Sequence, residues 1–322
     1  MMQIGLIGIS AGAAAALLFA SVTSGTLFSI PLFYLAPLPI MIAGLGWSHW
    51  SALVGAVAAS AALGFFFGGT FLFAFLAGAG LPAWWLSYLT MLARPAAESG
   101  NGAGPVALEW YPPGRLVVWA SVLGALVVLV AIPNFGTDAD SFRASLNSAL
   151  SRMLGVTAGA DGRPPTKNTV ALVDFLVMAI PPAAAVLSTI TNVINLWLAA
   201  RVVKFSGRLT RPWPRLSEMT FPPLFSASLA AAVALSFFGG MLGIVAGVLA
   251  ASFVIGYGVL GFAVLHSITQ GNSSRGFLLA GVYASVIVFG WPVLVLCLLG
   301  LIETAMNLRA RAARKRGPPA PF

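Results

Sequence analysis

Residues 4–22, IGLIGISAGAAAALLFASV, contain no charged side chain, and none occurs before Arg94. A stretch so dense in Ala, Gly, Leu and Phe cannot keep a folded surface in water, because soluble domains need charge there. Its solvent is the hydrocarbon of a bilayer. The rest of the chain agrees: 322 residues, 59% hydrophobic, 8% charged, against roughly 25% charged in ordinary soluble domains. A secretory leader would need a basic start and an early end to the apolar pattern, and neither is found. Residues 4–22 therefore read as the first span of an all-α, polytopic membrane bundle.

Working outward, Phe28–Gly46 is a second span, interrupted by Pro31, Pro37 and Pro39, which break or kink a helix. Ser51–Gly68 and Thr70–Leu92 follow as the third and fourth, flanked by Trp47, Trp50, Trp84 and Trp85 in the manner of an interfacial aromatic belt. Arg94–Arg115 is a loop, and Leu116–Ile132 a fifth span. The long polar stretch 133–168 contains an amphipathic helix, Ser141–Leu154, with Phe142, Leu146, Leu150, Met153 and Leu154 on one face and Asp138 or Asp140 as N-cap. Such a helix is expected to lie in the membrane surface. Val170–Ala200 is a sixth span carrying Pro181-Pro182, and Leu224–Phe238, Met241–Thr269 and Phe277–Ile302 are the remaining apolar runs.

Basic residues gather in the loop 201–222 (Arg201, Lys204, Arg208, Arg211, Arg215) and in the tail from Arg309 to Arg316. By the positive-inside rule both face the cytoplasm. Three apolar runs lie between them, and an odd number of crossings cannot return the chain to the same side. The short Leu224–Phe238 run is therefore read as non-spanning, for eight crossings, nine being the alternative. Residues 1–306 form one transmembrane domain, 307–322 a disordered basic tail, and the location is a bacterial inner membrane with both termini cytoplasmic. The net charge of +9 then means anionic lipid headgroups at the loop and tail rather than nucleic acid, since no basic domain stands apart from the spans.

Apolar character gives helices in lipid no drive to associate; close backbone contact through small residues does. Gly8, Gly12, Ala16 and Ala20 recur at four-residue spacing, as do Ala52, Ala56, Ser60 and Gly64, and Gly239, Gly243 and Gly247. Each series is a candidate packing seam.

The sixth span offers a polar stripe. Asp174 and Asn192 are 18 residues apart, five turns of helix, with Asn195 on the flank. Ionisable groups inside membranes default to functional readings, and proline-broken helices often frame substrate sites. Asp174, Asn192, Asn195 and His266 are accordingly the candidate substrate-binding residues. The plainer alternatives are a hydrated Asp174 near a helix end and a neutral His266 bonded to a neighbouring helix. His49, between two tryptophans, reads as a belt residue or a stacking partner for a ligand. Glu303 is expected to pair with the arginines that follow it.

No catalytic residue, cofactor or metal site is expected. The chain contains no HExxH helix, Walker loop or Gly-x-Ser-x-Gly elbow. It has one Cys and two widely separated His, too few for a Cys/His zinc site.

Two stretches carry a family resemblance: Leu35-Ala36-Pro37-Leu38-Pro39-Ile40, and the segment from Gly258-Val259-Leu260-Gly261 through His266-Ser267 to Leu299-Gly300-Leu301-Ile302-Glu303-Thr304. They resemble the YybS-like family of bacterial membrane proteins, of unknown function. That family is distantly similar to the substrate-binding S components of energy-coupling-factor vitamin transporters. The resemblance implies a small-molecule-binding subunit without its own ATPase that docks on a membrane coupling subunit. The extra spans depart from the six-helix plan of S components. The rival from another class is a membrane scaffold in envelope assembly, built as a solid bundle.

Overall fold

A computed structural model describes residues 2–95, 108–155, 166–216 and 219–316. Along the chain run α1 (Met2–Ala20), α2 (Ser29–Tyr34), α3 (Pro37–Gly46), α4 (His49–Phe67), α5 (Gly69–Phe75), α6 (Leu81–Thr90), β1 (Ala93–Pro95), β2 (Leu108–Trp110), α7 (Pro113–Ala131), α8 (Ala139–Met153), α9 (Lys167–Phe205), α10 (Pro223–Ser236), α11 (Gly240–Ile268), α12 (Arg275–Phe289), α13 (Val293–Met306) and α14 (Leu308–Arg316). The protein is a helical, multi-pass membrane protein. Among the described residues seven segments are long and apolar enough to cross a bilayer: Met2–Ser24, Ser29–Gly46, His49–Phe67, Gly69–Thr90, Pro113–Asn134, Lys167–Phe205 and Gly240–Ile268. The prolines interrupt the second of these as expected, and a turn of π-helix, Leu76–Gly80, joins α5 to α6. The 14-residue α10 reaches roughly 21 Å, short of a hydrocarbon core of about 30 Å. The run Phe277–Ile302, expected as a single crossing, is instead two helices. Gly290 takes φ +71° and Pro292 lacks an N–H, so the backbone turns between α12 and α13.

The described chain divides into two compact units. One comprises Met1–Ala120, Thr191–Pro222 and Ile255–Phe322; the other comprises Ser121–Ile190 and Pro223–Val254.

In the first unit small residues fill the closest helix contacts, and many large apolar side chains point outward. Ala15, Ala52, Ala56 and Ala59 are fully buried, while Phe65 and Phe277 are more than four-fifths exposed. That is the arrangement hydrocarbon permits and water penalises. A side chain at Gly12 would put its Cβ 2.6 Å from the Gly55 carbonyl oxygen, and one at Gly8 would lie 2.7 Å from that of Ser51. These are the backbone contacts that seat α1 on α4. Ala16 is buried with them, and Ala20 is half-buried. A second close crossing joins α11 to α13: a Cβ at Gly261 would collide with the Leu296 backbone, and one at Gly300 with the Tyr257 carbonyl. The spacing analysis placed the small-residue seam of this region at Gly239, Gly243 and Gly247, and the structure corrects that position. Gly239 and Gly247 have nothing within 4 Å of a Cβ, and Gly243 meets only Phe238 and Ser236, in the turn just before α11.

The break between α2 and α3 is chemically closed. Pro37 has no N–H for the Tyr34 carbonyl, and Leu38 N–H goes to Leu35. The side chain of Asn195, on α9, donates to Tyr34 O at 2.8 Å instead. In the segment expected as a loop, Ala93–Pro95 and Leu108–Trp110 pair antiparallel, Arg94 opposite Glu109, with an exposed ion pair of 2.8 Å that adds little stability. The tail is helical from Leu308 to Arg316 rather than disordered from 307. Leu, Arg and Ala favour helix, and Glu303 accepts from the Arg309 backbone N–H (3.1 Å) and from its Nε (2.7 Å), capping the new helix while neutralising its arginine. Residues 317–322 lie outside the described residues.

In the second unit α9 runs unbroken through Pro181-Pro182. Gly124 leaves room for Thr189, whose hydroxyl lies 2.7 Å from that of Ser252, and Ser252 donates to the Ser121 carbonyl at 2.5 Å. Asp138, not Asp140, caps α8 in a capping box with Ser141. The apolar face of α8 was expected to meet lipid. Phe142, Leu146 and Leu150 pack instead with Ile132, Val173 and Val177 of the same unit, whereas Met153 is 84% exposed.

Two predictions follow from this packing. Gly12→Ala lowers thermal stability in detergent by on the order of 1–3 kcal/mol, the usual cost of overpacking, whereas Gly247→Ala is neutral or stabilising; thermal melts of the two purified variants compare them directly. The Asp138 carboxyl is held below the usual Asp range by the Ser141 hydroxyl and the backbone N–H groups it accepts. The cap is therefore complete above the unfolded pKa and lost as pH falls through the lower folded value. Asp138→Ala should speed hydrogen exchange in the first turn of α8 at neutral pH, and acid should do the same to the parent protein.

Candidate functional site

A cavity of about 630 Å³ lies within the first unit, in the range of small-molecule sites. Its walls come mainly from four helices and the loop after α9, with Thr90 at the end of α6 and Gln270 between α11 and α12. The start of α7 gives Leu116, Val117 and Ala120; the last turns of α9 give Val193, Ile194, Trp197 and Ala200. From α11 come Val259, Phe262, Ala263 and His266, and from α12 Arg275 and Tyr283. The loop after α9 adds Arg211, Trp213 and Met219. Connectivity explains the shape. The start of α7, the ends of α9 and α11 and the start of α12 adjoin the loops, so polar groups collect at that end. Val193 lies 12 residues before the end of α9 at Phe205, roughly 18 Å along the helix, so the apolar walls extend several turns back from the loop end.

The polar end is cationic. Arg211 is 6% exposed and donates to the carbonyls of Thr90 (2.8 Å) and Tyr111 (2.7 Å). Both carbonyls sit where a helix has just ended or not yet begun, so neither has a helical N–H to accept from. Burial lowers the pKa of this loop guanidinium, but arginine keeps its proton near neutrality. Arg275 reaches only the His266 carbonyl, at 3.5 Å, and its Nε is buried with no partner. His266 Nε2 lies 2.9 Å from the Tyr283 hydroxyl, and the Tyr283 ring stacks on Phe262 at 5.0 Å. Among the described residues no Asp or Glu lines the cavity.

A belt of cations on tryptophan borders this end. Arg201 lies over Trp197 and Trp213, Lys204 over Trp213 and Arg208 over Trp47, with the charges 4.5–5.7 Å from the ring centres. His49 is packed edge-on to Tyr88 at 5.2 Å and borders a smaller pocket of about 280 Å³ with Trp47 and Arg208.

Of the four residues expected to bind substrate, only His266 lines the cavity. Asp174 belongs to the other unit, is exposed and accepts from Asn147 Nδ2 at 3.1 Å, the plainer of its two readings. Asn195 is committed to the Tyr34 and Thr191 carbonyls. Asn192 is buried at 1% exposure, away from the cavity lining. Helical periodicity aligned these side chains along α9 but could not say which part of the helix borders a void. Arg211 and Arg275 were missed as site residues because charge counting assigns loop arginines to topology. The one sequence signal was Pro212-Trp213-Pro214, which marks a rigid loop able to hold Arg211 inward.

No family model, curated protein or solved structure matches this chain, so the function is argued from the chemistry of the cavity.

Proposed function

We propose that this protein binds an amphipathic small molecule at the membrane and serves as the binding subunit of a transport system. The observation that carries the reading is the cavity, with walls of Val, Leu, Ile and Phe and polar groups gathered at the loop end. A void of this kind needs a ligand with an apolar body and a polar head. The resemblance to the YybS-like family, and through it to S components, supports the same reading. The chain carries no Walker loop, so energy for moving a ligand would come from a membrane coupling partner. The α1–α4 and α11–α13 seams are used within the chain itself, so such a partner would meet the outward faces of the bundle. The basic loop 201–222 supports an inner-membrane location with that loop cytoplasmic. The scaffold alternative keeps the basic loop and tail as its motive, while the α8 residues Phe142, Leu146 and Leu150 that also suggested it are packed within the chain.

The test is photolabelling of the full chain in membranes with a diazirine-bearing hexadecanol, followed by peptide mapping. The label should concentrate on 193–200 and 259–263. Ala120→Trp or Val193→Trp, each of which fills the void, should reduce that labelling several-fold. Label spread evenly over outward residues such as Phe65 and Phe277, and indifferent to both substitutions, would refute the reading.

A further inference from the structure

We infer that the ligand of this cavity is an anion: an apolar chain or ring system bearing one carboxylate or phosphate, whose charged oxygens sit between Arg211 and Arg275. The inference rests on the binding reading above and adds the chemical class.

The cation in the wall is uncompensated. Arg211 is buried, and among the described residues no carboxylate bonds to it; its two bonds go to neutral carbonyls. Those carbonyls orient the guanidinium and leave three of its five N–H donors. A buried charge without a counter-ion is costly, and the cheapest remedy is an anion supplied from outside. Arg275 repeats the pattern from α12. Its Nε is buried with no partner and its one bond, to the His266 carbonyl, is long. The two guanidinium groups line one cavity with no acidic side chain among the described residues. They would repel each other across it unless an anion lay between them. Of the described carboxylates, Glu303 is taken by Arg309, and Glu109 by Arg94.

The walls set the rest of the molecule. Beyond the arginines the lining of α7, α9 and α11 is aliphatic or aromatic, so the ligand's body is apolar and follows the helices inward. A neutral amphiphile could fill that volume, but it would leave both cations unpaired. Charge-assisted bonds of this kind favour the anion by roughly tenfold or more. Carboxylate and phosphate heads share the chemistry, and either a membrane phospholipid or a smaller amphiphilic acid could supply it.

The experiment compares diazirine-bearing hexadecanoic acid with the matching hexadecanol in the same membranes, at a pH where the acid is ionised. The acid should label the cavity peptides roughly tenfold more than the alcohol. Arg275→Gln should bring that ratio near one, by lowering the acid's labelling far more than the alcohol's. Arg275 is the better target, because Arg211 also holds two backbone carbonyls and its loss can unfold the loop. Competition by phosphatidylglycerol would identify a lipid headgroup as the source; competition by single-chain acids or monophosphates alone would identify a smaller ligand, and either supports the assignment. Equal labelling by acid and alcohol, or a ratio unmoved by Arg275→Gln, overturns it. The binding reading survives that result as long as Ala120→Trp still removes the alcohol's label. Loss of cavity labelling by every probe would overturn both.

Discussion

A backbone carbonyl that loses its helical partner inside hydrocarbon has no water to turn to, and much of this structure is organised by finding it another donor. Pro37 deprives Tyr34 of an N–H, and Asn195 on α9 supplies one. The end of α6 and the lead into α7 leave Thr90 and Tyr111 open, and Arg211 closes both. At the far end of the chain the orphan is a donor, Arg309 N–H at the start of α14, and Glu303 accepts it. Of the polar residues that look most functional along the sequence, Asn195 is occupied by this task.

Arg211 is the case in which structure and function meet. Its two carbonyl bonds fix a guanidinium at the mouth of an apolar cavity, and because the acceptors are neutral its charge remains for something else. The same economy is absent at Glu303 and Arg309, where anion and cation satisfy each other. On the proposed reading a structural arginine becomes a site residue because the acceptors that hold it are neutral carbonyls.

Small residues govern the rest of the packing, but only where two helices approach. Gly8, Gly12 and Gly55 form one close crossing and Gly258, Gly261 and Gly300 another. Gly239, Gly243 and Gly247 repeat the four-residue spacing without a partner helix against them. Spacing shows which face of a helix could be approached. It carries no information about whether a second helix lies there, since that depends on residues tens of positions away.

The charge-free opening stretch, the length of the apolar runs and the prolines at 31, 37 and 39 determined by themselves that this is a multi-pass helical membrane protein and where most of its spans begin and end. Hydropathy is a local property, and crossing a bilayer requires only a local stretch of it. The break within 277–302 was written locally in Gly290 and Pro292, whereas the covering of α8, the scattering of Asp174, Asn192 and Asn195, and the meeting of Arg211, Arg275 and His266 at one cavity were decided by the tertiary structure alone. A cavity is the space that distant segments fail to fill, and the charges facing it are set by which helix ends come together.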